Sequence, residues 1–178
     1  MKSTSIAAAL ALAGTVLAAP GAAQDLRHFG QADGWQVKAI GNDACVVMKY
    51  LGGSEDSTLV FYRLEPGEEP EISFSVPRRQ STPDPDRVNW DRLEPVSVQY
   101  TLSSGQTFAT DGDLGLEYVN ARTVRRIVGI DADTATVDRI AGSERISLRA
   151  GDERIGDLAL GRAARAIDIG RRCARTLG

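Results

Sequence analysis

Short runs of alternating apolar and polar residues, separated by turn residues, recur along this chain and restrict it to antiparallel β-structure. Trp35, Val37 and Ala39 alternate with Gln36 and Lys38. Gly41-Asn42-Asp43 then turns the chain into residues 45–51, so the two runs read as a hairpin. Residues 58–64 place Leu59, Phe61 and Arg63 on one side and Val60, Tyr62 and Leu64 on the other. After the Pro66-Gly67 break, residues 71–76 alternate through Ile72, Phe74 and Val76. The pattern predicts a meander with one face in the core and one face in water.

The next segment has no apolar period. Residues 77–89 carry Arg78, Arg79, Pro83, Asp84, Pro85, Asp86 and Arg87. Prolines this close exclude both a helix and a central strand, so a polar connection is expected, closed by Trp90 and Leu93. Arg78, Arg79 and Trp90 are the candidate binding residues, because a solvated loop joined to a rigid sheet is where recognition groups concentrate. Residues 95–102 form the clearest strand, with Val96, Val98, Tyr100 and Leu102 on one side. Ser103-Ser104-Gly105 turns it, residues 106–110 return, and Asp111-Gly112-Asp113 reads as a further turn. Residues 114–130 fit strand or helix.

Helical signals appear only late. Asp131 or Asp133 can cap a short helix carrying Val137, Ile140 and Ala141, ended by Gly142. Residues 144–149 and 154–160 read as strands around the turn Ala150-Gly151-Asp152-Glu153. Ala163, Ala166, Ile167, Gly170, Cys173, Ala174 and Leu177 then recur at helical spacing on one face. Asp168 stands one turn before Arg172, in position to pair with it. The expected fold is mainly β (α+β), a small antiparallel β-sandwich or partly open barrel with the C-terminal helix packed on it.

The N-terminus sets the compartment. Lys2 precedes an apolar run over residues 6–19, and Gly21-Ala22-Ala23 supplies small residues for cleavage. This is the pattern of a secretory signal peptide, residues 1–23, cleaved after Ala23. Residues 24–178 then form a single β-rich domain, periplasmic or secreted. The leader's core is short for a bilayer and no later stretch approaches it, so no membrane span is expected. Only two cysteines occur, Cys45 and Cys173. An even count in an oxidising compartment predicts one disulfide between them, tying an early strand to the last helix.

Composition and motifs narrow the function by exclusion. The chain has net charge −3, and the leader's only charge is Lys2, so the mature charge is −4. That balance gives no footprint for nucleic acid. His28, near the mature N-terminus, is the sole histidine; a zinc-protease helix needs more than one, and a histidine-centred triad needs it elsewhere. No Gly-x-Ser-x-Gly turn, Cys-x-x-Cys pair or nucleotide-binding glycine loop is present. Asp131, Asp133 and Asp138 begin like a calcium loop, but Ala135, Thr136 and Gly142 occupy positions that need other residues. Paired aspartates at 84/86 and 111/113 fit turn chemistry. No catalytic residue, metal or cofactor is expected.

The layout resembles small secreted proteins common in alphaproteobacterial genomes. The matching pieces are Gly34-Trp35 followed by Ala44-Cys45-Val46, Trp90 and Leu93 before Val96-Ser97-Val98-Gln99-Tyr100 and Phe108, and Leu158-Ala159-Leu160-Gly161 leading to a helix that ends at Cys173. More distantly the chain is similar to the invasion-associated locus B family of periplasmic proteins. The resemblance implies an extracytoplasmic compartment, a β-rich fold and the disulfide, and carries over no catalytic residue. The expected function is therefore a non-enzymatic interaction or binding protein with an envelope protein as partner. The alternatives are a cell-envelope polymer hydrolase using paired carboxylates, and a carrier of a small apolar ligand.

Overall fold

Among the described residues, ten antiparallel strands join edge to edge in one sheet that does not close on itself. The computed structural model describes residues 26–52, 57–78, 93–120 and 123–177. The strands are β1 (Leu26–Ala32), β2 (Trp35–Ile40), β3 (Ala44–Tyr50), β4 (Leu59–Leu64), β5 (Glu71–Arg78), β6 (Glu94–Leu102), β7 (Thr107–Asn120), β8 (Thr123–Asp131), β9 (Ile146–Ala150) and β10 (Glu153–Leu158). Two helices, α1 (Thr134–Gly142) and α2 (Ala164–Leu177), complete the described elements. The order across the sheet is β1-β2-β3-β4-β5-β8-β7-β6-β9-β10. The first five strands form the expected meander. The next three run in reverse, so β8 docks on β5, and the 79–92 segment joins strands separated in the sheet by β8 and β7.

The alternation read from the sequence sets which side chains enter the core. Trp35, Val37 and Ala39 from β2, Cys45 and Val47 from β3, and Val60, Tyr62 and Leu64 from β4 are buried in one cluster. That cluster also takes Val98 and Tyr100 from β6, Val137 and Ile140 from α1, and Ala166 and Ile167 from α2. Trp35 and Tyr100 are both core residues, with Tyr100 stacked on Phe108 at 5.4 Å between ring centroids. Asp133 is the N-cap of α1, accepting from the Thr136 N–H at 2.6 Å, which satisfies a first-turn donor.

Helix α2 lies against β1 through β4. Its small residues allow the approach: a Cβ on Gly170 would come within 2.5 Å of Val47 Cγ2 and 2.7 Å of Leu64 Cδ1. Cys45 and Cys173 form the predicted disulfide, with Cα atoms 6.1 Å apart. No helix among the described residues is long and apolar enough to cross a membrane.

Residues 26–32, which show no apolar period in the sequence, form edge strand β1, whose side chains are mostly exposed. Three local expectations are corrected. Pro77 and Arg78, read as loop, extend β5 opposite Arg125 and Val124. Asp111-Gly112-Asp113 is the middle of the 14-residue β7, because Gly112 provides close passage to β8 instead of a turn. Asp168 faces Arg171 at 3.9 Å, three residues on; Arg171 also meets Asp138 of α1 at 2.7 Å. The signal-peptide reading falls on residues outside those described.

Candidate functional site at the end of strand β5

The sheet has a second face, away from the core cluster, and its middle is more than a solvated surface. Register pairs Leu59 with Ser75, Phe61 with Ser73, Ser75 with Ile127 and Arg125 with Glu117. These side chains therefore share one face across β4, β5, β8 and β7. Leu59 and Phe61 form a separate buried cluster, flanked by Met48 and Tyr50 of β3. Ser73, Ser75 and Arg125 beside them are buried polar residues. The sequence expectation of a wet outer face is corrected here: strand alternation assigns a residue to a face and says nothing of what that face meets.

A chain of polar contacts crosses this face. An Arg125 terminal nitrogen donates to Ser75 Oγ at 3.3 Å, and the Ser75 hydroxyl donates to Glu117 Oε2 at 3.3 Å. Burial pushes the Glu117 carboxyl above its usual range, against the opposing pull of the Ser75 hydroxyl and the Arg125 guanidinium. The arrangement holds a guanidinium, a hydroxyl and a carboxyl in fixed order, and these mutual hydrogen bonds brace β8, β5 and β7 against one another. It is poorly suited to nucleophilic attack: Ser75 is 1% exposed, which gives a substrate carbonyl no approach to Oγ.

The sequence candidates divide around this site. Arg78 ends β5, its backbone opposite Val124, the residue before Arg125. Arg79 and Trp90 lie outside the described residues. Ser75, Glu117 and Arg125 were not singled out from sequence, since a lone serine, glutamate and arginine on three strands carry no spacing signal. Cys45 and Cys173 stand apart from this face, in the core beneath α2.

Other acidic groups also meet across strands. Glu71 on β5 is the register partner of Asp131 on β8. Burial raises the Glu71 carboxyl, countered by the Arg63 guanidinium and reinforced by the Glu65 and Asp131 carboxylates. Asp113 on β7 is raised by burial and by the same Asp131. Within the core, Trp35 Nε1 and Tyr62 OH are buried without a hydrogen-bond partner among the described residues, their rings 5.6 Å apart. No protein-family model, characterised protein or solved structure matches this chain.

Proposed function

We propose that this protein is a non-enzymatic binding protein of the periplasm or the secreted fraction, and that it recognises an envelope protein through the sheet face at the end of β5. One observation supports this reading above others. The face away from the helices combines an apolar cluster with the Arg125–Ser75–Glu117 chain, at the point where the segment carrying Arg79 and Trp90 begins. This buried set stiffens the strand end from which that segment leaves, and recognition groups concentrate on polar segments joined to a rigid sheet. The disulfide is compatible with an oxidising compartment.

The test is a cross-linked pull-down from envelope extract with the mature chain, its Arg79→Ala/Trp90→Ala variant and its Arg125→Gln variant. The expected result is a partner captured by the native chain and lost with these variants while their thermal melts stay cooperative. Undiminished capture by both variants would overturn the assignment of this face.

A second reading, hydrolysis of a cell-envelope polymer by paired carboxylates, is favoured by the Glu71 and Asp131 pairing. Directly opposite residues on antiparallel strands share one face as neighbours, which allows the two carboxyls to act on one substrate. Release of glycan fragments that disappears with Glu71→Gln would establish it.

A further inference from the structure

The mature chain is acidic, yet one groove on it concentrates cations. An open groove of about 780 Å³ is lined by Lys49, Arg145, Arg162 and Arg165, with Asp33 and Glu144 as its acidic members. It lies on the helix side of the sheet, since Lys49 is the register partner of the core residue Val60. Its volume is in the range of small-ligand sites.

Lys49 is held in place. Its ammonium donates to the Leu160 carbonyl at 3.1 Å and the Asp33 carbonyl at 3.4 Å. It also sits 5.6 Å from the centroid of the buried Trp35 ring. Gly161 makes room for it: that residue has φ +63°, and a Cβ there would come within 3.2 Å of Lys49 Nζ. An ammonium has three donors, and the third has no partner among the described residues.

The arginines are held loosely. Arg162 meets Glu144 at 3.4 Å and Arg165 meets Asp33 at 3.9 Å, all four side chains well exposed. Exposed pairs of this kind contribute about 0–1 kcal/mol and weaken with salt, so an incoming anion can displace the carboxylates. The guanidinium fork matches planar and tetrahedral oxyanions alike.

We infer that this groove binds a small ligand carrying two or more oxyanion groups, phosphate or carboxylate, with Lys49 as the fixed contact and the arginines closing on it. The inference is independent of the β5 face, and either can fail without the other.

The experiment titrates the oxidised mature chain with pyrophosphate and, separately, with citrate at low salt, followed by amide chemical shifts and calorimetry. Glucose is the neutral control. Saturable binding is expected for at least one anion, with shifts at Lys49, Gly161 and Arg145. Affinity should fall about tenfold or more in Lys49→Gln and in Arg145→Gln. Arg154→Gln, a cation outside the groove paired with Asp157, should bind as the native chain does. The preferred anion identifies the ligand as phosphate-bearing or carboxylate-bearing. If Lys49→Gln loses its cooperative melt, Arg145→Gln carries the test alone. Absence of saturable binding by both anions, or an equal loss in Arg154→Gln, would overturn the inference.

Discussion

Gly112 of β7 passes so close to Gly129 of β8 that a Cβ on Gly112 would sit 2.2 Å from the Gly129 carbonyl oxygen. That contact fixes the two long central strands at a separation no side chain permits. Gly112→Ala should therefore cost about 1–3 kcal/mol, the usual cost of overpacking, read as a lower urea midpoint with unchanged slope. Gly142 is the matched control: it is the last residue of α1 and a Cβ there meets nothing within 4 Å. Gly142→Ala should stabilise by about 0.5–1 kcal/mol.

Gly170→Ala tests how α2 seats on the sheet. The added methyl collides with Val47 and Leu64 side chains, which have some freedom to move, so a cost of about 1–3 kcal/mol is expected. Amide exchange should show the loss in α2 first. Uniform loss across β7 and β8 would contradict a local seating role.

Cys45 and Cys173 close a loop of 128 positions. In the chain-entropy treatment such a loop contributes about 5 kcal/mol. Cys45→Ser/Cys173→Ser should lower stability by up to that amount, and reduction of the native protein should reproduce the double variant's melting temperature. A melt indifferent to reductant would remove the disulfide from the stability argument.

The Glu117 carboxyl titrates above its ordinary value of 4.5 in the folded chain. The folded chain thus keeps that proton to higher pH than the unfolded chain. The stability this gives is complete below the usual glutamate range and is lost as pH rises through the raised value. Glu71 acts in the same direction. Glu117→Gln should flatten the decline in stability from mildly acidic to neutral pH, measured by denaturant midpoints across that window. Asp133 has the opposite sign: its bond from Thr136 holds its carboxyl below 3.8, so its contribution is present above the ordinary range and is lost as acid reaches the lowered value.

Most strands were legible because a half-buried strand must alternate, and Trp35, Val37 and Ala39 or Val98 and Tyr100 do so without interruption. Helix α2 was legible because its small residues recur at helical spacing on one side. β1 was not, because an edge strand with exposed side chains is held by backbone pairing, which imposes no pattern on sequence. The Asp111-Gly112-Asp113 stretch misled because the residues that make turns also serve where two backbones approach closely.

The sequence by itself determined the class of the molecule: antiparallel strands from period-two patterning, a closing helix from period 3.6, and the pairing of its only two cysteines. Those features are local or forced by counting. Only the tertiary structure decided that β8 returns to lie between β5 and β7, since strand order depends on contacts distant along the chain. That choice brings Ser75, Arg125 and Glu117 into one polar chain and folds Lys49 beneath Gly161. Each of these groups is unremarkable in sequence, and its environment comes from neighbours on other strands.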